Sequence, residues 1–116
     1  MPAIARLGVP VAEPNAADLD GWIKVEGNPT MKTWVQHATA DGTAISGTWE
    51  ATPGAWHATF AFYEFAHIIE GRLTITEDGG EPLSFGPGDA LAVEAGFKGV
   101  WRIEEPVRKH FAIRLK

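Results

Sequence analysis

At 116 residues the chain has room for one domain, and 45% hydrophobic with 22% charged residues is the balance of an ordinary folded protein, not a disordered one. It contains no cysteine, which excludes disulfides, thiolate nucleophiles and cysteine-ligated zinc or iron–sulfur centres. A net charge of −5 argues against a nucleic-acid partner, no apolar run is long enough to predict a membrane span, and the first residues lack a signal-peptide pattern, so the expected location is cytoplasmic.

Residues 1–30 are rich in Pro, Ala, Asn and Asp, and Pro10, Pro14 and Pro29 each remove a backbone donor. They predict an N-terminal arm that packs on the folded domain or on a partner subunit, with the domain itself over 31–116. Beyond the arm come short runs rich in β-branched and aromatic residues: Thr33–Ala38, Ala44–Glu50, Trp56–Phe60, Phe65–Glu70 and Arg72–Glu77. Pro82–Phe85, Ala90–Glu94, Gly99–Ile103 and Lys109–Leu115 complete the set. Between them lie turn signals. Asp41-Gly42 suits a tight hairpin, and Pro87-Gly88 suits positions two and three of a type II turn held by Asp89. No segment keeps a helical period. The prediction is an all-β sandwich or barrel.

Alternation assigns faces. His57 and Thr59 share one side of their strand; Trp56, Ala58 and Phe60 share the other. Glu64, Ala66 and Ile68 oppose Phe65, His67 and Ile69. Large apolar groups therefore stand on both faces, whereas a half-exposed sheet would alternate apolar with polar. Something must cover the outside, and a homodimer is expected. The basic cluster Arg108-Lys109-His110 with Arg114 and Lys116 reads as a solvated strand face.

Several motifs follow one another in order: Gly47-Thr48-Trp49-Glu50, Pro53-Gly54-Ala55-Trp56, Glu64 followed by Gly71, Gly86-Pro87-Gly88-Asp89-Ala90, Gly96-Phe97-Lys98-Gly99-Val100-Trp101 and Val107-Arg108-Lys109. Together they span roughly 30–115, and the chain resembles a small single-domain cupin, most similar to the cupin-domain family of (S)-ureidoglycine aminohydrolase. The resemblance implies a double-stranded β-helix (a jelly roll, the RmlC-like cupin barrel), usually dimeric.

It also implies a metal site built from two motifs. In the first, His57 fills the first position and Glu64 the third, but Thr59 replaces the second histidine. In the second, Glu94, Gly99 and Ile103 stand where proline, histidine and asparagine would. Two of the expected ligands survive, His57 and Glu64. Two ligands hold a transition metal poorly. No firmly held cofactor is predicted, and Mn, Ni or Zn is what the complete site would take. The bland alternative is a polar His57–Glu64 pair inside an apolar pocket. The same pair, His57 and Glu64, is the catalytic candidate, acting as base and acid on a small polar substrate. Trp101, Trp56, Tyr63, Thr59 and Lys98 are the ligand-binding candidates. Trp101 has the parity of the missing histidine and either fills the metal's space, walls a ligand site, or is simply core.

The leading expectation is a small-molecule-binding cupin with a degenerate metal site, taking a ureide- or carboxylate-like metabolite. The alternatives are a metal-dependent aminohydrolase acting on ureidoglycine or a related amide, and a protein-interaction module.

Overall fold

A computed structural model describes residues 3–116. Among them there is no helix, and eight strands carry the fold: β1 (Trp22–Glu26), β2 (Met31–Ala38), β3 (Ala44–Ala51), β4 (Gly54–Thr59), β5 (Tyr63–Glu77), β6 (Pro82–Phe85), β7 (Ala90–Val93) and β8 (Lys98–Arg114). All pairings are antiparallel. The spine is β8. Along one edge it pairs first with β4, over Lys98–Ile103, and then with β3, over Val107–Arg114. Along the other edge it pairs with β5 for almost its whole length. Outside these, β1 adds to β4, β2 to β3, and β6 and β7 to the two halves of β5. The product is one curled antiparallel sheet, a half-barrel whose concave side holds the core. The all-β jelly-roll expectation is met.

Two of the strands are longer than the sequence reading allows. The runs on either side of Gly71 belong to one strand, β5, because the break there is a set of bulges between Ile68 and Leu73. Gly71 has φ +89° and lies against the Pro106 carbonyl, where a Cβ would collide with the backbone. The bulges shift the phase of β5: Glu64, Ala66 and Ile68 are buried before them, and Leu73 and Ile75 after. Similarly, the runs Gly99–Ile103 and Lys109–Leu115 belong to one strand, β8, which continues through Glu104-Glu105-Pro106 and ends at Arg114. Pro106 lies between the β4 partner of Ile103 and the β3 partner of Val107, where the Thr52-Pro53 link leaves no ladder bond for it to miss. Gly71→Ala is expected to cost at least about 1–3 kcal/mol from the left-handed backbone alone. A denaturant midpoint unchanged from wild type would contradict the close approach to Pro106.

A third difference lies within the stretch read as an arm. Trp22–Glu26 is a strand, with Trp22 in the core. What precedes it runs antiparallel along the outer edge of β2. Asn15 and Thr33 exchange backbone hydrogen bonds, the Trp34 indole donates to the Ala12 carbonyl at 2.8 Å, and the Gln36 amide donates to the Gly8 carbonyl at 2.9 Å. The arm thus shields an edge strand that would otherwise offer free backbone groups.

The core is aromatic. Trp22, Trp49, Trp56, Trp101 and Phe60 form one cluster, with ring centroids 5.1–6.2 Å apart in tilted, edge-on and stacked contacts. The Gly86–Asp89 turn is as expected. The Asp89 amide donates to the Gly86 carbonyl, Gly88 has φ +91°, and the Asp89 carboxylate accepts from the Gly86 amide. The Asp41-Gly42 hairpin is wider than a two-residue turn, closing instead on Thr39 and Ala44. There the Asp41 carboxylate accepts from the Thr43 amide and from the hydroxyls of Thr43 and Thr39, and these bonds hold its pKa below the usual 3.8. A depressed folded pKa gives stability that is present above the unfolded value and lost as pH falls through the folded one. A carbon-detected titration should place the Asp41 midpoint below 3.8; a midpoint above it would contradict the loop geometry.

Candidate ligand-binding site

Alternation along β8 puts Trp101, Ile103, Val107, Lys109 and Phe111 on the concave side, and all five are buried. Lys109 is therefore an internal lysine, not part of a solvated face. Its cross-strand neighbour on β3 is Trp49. From β5, Glu64 enters the same space. The Lys109 ammonium donates to the Glu64 carboxylate at 2.6 Å, with the two side chains 3% and 9% exposed. The ammonium also lies over two indole faces, 4.6 Å from the Trp49 centroid and 4.5 Å from that of Trp101. A carboxylate and two aromatic faces offset the cost of taking this charge out of water.

The ion pair is on the wall of a cavity of about 780 Å³. The arm closes one side through Gly8–Glu13, β2 contributes Thr33 and Val35, and the floor is Trp49, Phe111 and Ile113. This volume is within the usual range for small-molecule sites, and so is a mostly apolar lining with few polar groups. Two polar groups are only partly engaged. An ammonium carries three donors, and Lys109 uses one on a protein acceptor. The Thr33 hydroxyl is buried with no hydrogen-bond partner among the described residues.

The residues singled out from the sequence do not converge. His57 faces the convex side of β4, where its Nε2 meets the Asp78 carboxylate at 3.0 Å. The expected polar pair of His57 with Glu64 is corrected to two separate contacts, a hydrogen bond of His57 with Asp78 and an ion pair of Glu64 with Lys109. The reason is topological: His57 sits beside Val100 and Glu64 beside Ile113, at opposite ends of β8. Trp56 and Trp101 are fully buried in the aromatic cluster, and neither indole N–H has a partner among the described residues. Trp101 reaches the site only through its face toward Lys109. Tyr63 is on the convex side, with the Arg114 guanidinium 5.4 Å from its ring. Thr59 and Lys98 are exposed and away from the cavity, the Thr59 amide donating to Gly21 and the Lys98 carbonyl accepting from Asp78. Among the described residues no three His, Asp or Glu side chains gather as metal ligands. With His57 and Glu64 on opposite faces, these residues do not fit the metal that a complete cupin motif would hold.

A curled antiparallel half-barrel with its site on the concave face is the cupin class. Residues 38–111 match the EutQ-like cupin domain, and the chain belongs to that family. No curated protein matches it. Among solved structures it is similar to the EutQ protein of Clostridium difficile (19% identity, TM-score 0.66), covering 74% of this chain and 68% of that one. A putative ethanolamine utilization protein Q from Salmonella typhimurium is similar over 92% of this chain and 98% of its own (16% identity, TM-score 0.64). A protein of unknown function of the DUF861 family from Pseudomonas syringae pv. tomato gives 23% identity and TM-score 0.73 over 89% of this chain. The chain spans only 45% of that protein. At these identities the likenesses show the fold. Among the described residues no helix is long and apolar enough to cross a membrane.

Proposed function

We propose that the chain is a cytoplasmic, metal-independent cupin that binds a small molecule in the cavity between the arm and the concave sheet. The observation that carries this reading is the Glu64–Lys109 pair, two opposite charges buried on the wall of a largely apolar cavity. The ligand's polar end meets the pair: a carboxylate finds the free donors of Lys109, and the N–H groups of a ureide find Glu64. Its apolar body packs against Trp49, Phe111 and Ile113. The resemblance adds a second reading, a metal-dependent aminohydrolase acting on ureidoglycine. The separation of His57 from Glu64 counts against it.

The test is calorimetric titration with urea, N-carbamoyl amino acids and short-chain monocarboxylates. One class should bind wild type. It should bind at least about tenfold more weakly to the double variant Glu64→Gln/Lys109→Met, which keeps side-chain shape and removes both charges. Equal affinity in the two proteins, or no binding by any member, would sink the proposal. Ammonia release from ureidoglycine in the presence of Mn would establish the aminohydrolase instead.

A further inference from the structure

The Glu64–Lys109 pair carries no net charge. Lys109 keeps two N–H donors free, and the Glu64 carboxylate accepts from Lys109 alone among the described residues. A bound anion would lie against Glu64 and a bound cation against Lys109, in a place poor in water. An uncharged group that both accepts and donates satisfies the two at once. The charged residues on the arm's side of the cavity, Arg6 and Glu13, are also one of each sign.

The cavity is much larger than such a group needs. Its volume of about 780 Å³ is room for roughly 25 water molecules. Outward from the pair the register is Lys109, Trp49, Thr33 and then Asn15 of the arm, one residue per strand. Three strand spacings make this path about 14 Å, the length of an extended medium-chain amphiphile. Trp49, Phe111 and Ile45 wall it. The mouth is apolar too. Nine large apolar side chains are exposed among the described residues, and three of them line this cavity: Val9, Val11 and Val35, at 77%, 101% and 55%. Grouped exposed apolar residues mark a surface that something apolar covers, and these three continue the line of the cavity.

We propose that the ligand is an uncharged, single-tailed amphiphile, an alkanamide or alkanol in class. Its head sits between Glu64 and Lys109, and its tail lies over Trp49 and Phe111 and ends on the valines of β2 and the arm. The inference rests on the cavity being the binding site, and it names what that site selects.

Calorimetric titration with butanamide, hexanamide and octanamide should show affinity rising about threefold to fourfold per added methylene. The matching alcohols should follow the same slope. Octanoate and octylammonium should each bind at least about tenfold more weakly than octanamide. Val35→Asp should weaken octanamide at least about fivefold more than it weakens butanamide. Val11→Asp, at a wholly exposed position that leaves the fold untouched, should do the same. Affinity that does not rise with chain length, octanoate or octylammonium bound as tightly as octanamide, or losses in both valine variants no larger for octanamide than for butanamide would overturn the proposal. In each of those cases, butanamide binding that is still weakened in Glu64→Gln/Lys109→Met would leave the cavity as the binding site. No binding by any of these compounds would overturn both.

Discussion

Lys109→Met should destabilise the protein by about 3–5 kcal/mol, because it strands the Glu64 carboxylate in the interior without its partner. For a chain of this length that corresponds to a fall in melting temperature of roughly 10–20 °C. Glu64→Gln should cost a comparable amount by stranding the ammonium, despite the two indole faces beside it. The double variant should recover most of the loss, since a buried ion pair can be replaced by neutral groups of similar shape at little net cost. A thermodynamic cycle from denaturant melts of the four proteins measures the coupling directly. If Lys109→Met changes stability by less than about 1 kcal/mol, the pair behaves as a surface salt bridge and the internal site is not as described. If the cycle behaves as expected, the charges are not needed for folding. Their retention then has to be accounted for by what they bind.

Lys109 also marks the limit of sequence reading. Its parity was available: Trp101, Ile103, Val107, Lys109 and Phe111 are all odd-numbered, and four of the five are apolar. Glu104-Glu105-Pro106 hid the continuity, because acidic residues before a proline ordinarily end a strand. Taken as a new strand among Arg108, His110 and Arg114, the lysine looked like one more surface cation. The Gly86–Asp89 turn was legible, since Gly88 occupies positive φ at the position where the Pro-Gly pair calls for it. The His57–Glu64 relation was not legible. It depends on which end of β8 each strand chooses, a long-range pairing with no local signal. The arm's role as a cavity wall was hidden for the same reason. It rests on scattered contacts such as Trp34 to Ala12 and Gln36 to Gly8, not on any pattern within residues 1–30.

Trp101→Ala is expected to be the most damaging single truncation in the aromatic cluster, at about 3–5 kcal/mol. The indole is fully buried, contacts Trp22, Trp49 and Phe60 through their rings, and covers one side of the Lys109 ammonium. Its removal leaves a hole walled by aromatic rings, and such holes take up apolar guests of matching shape. Added indole should therefore restore part of the lost melting temperature in Trp101→Ala, with a saturating dose dependence and no effect on wild type. This separates two of the roles that the sequence leaves open for Trp101, core and pocket wall. A ring that fills the interior is replaceable by free indole. A ring that walls a ligand pocket would, once removed, enlarge a cavity already open to solvent, and indole would bind without raising stability in proportion. Recovery that tracks indole occupancy places Trp101 in the core, with its Lys109-facing side as the only part that bears on ligand binding. Failure of indole to stabilise the variant at saturating occupancy would refute that assignment.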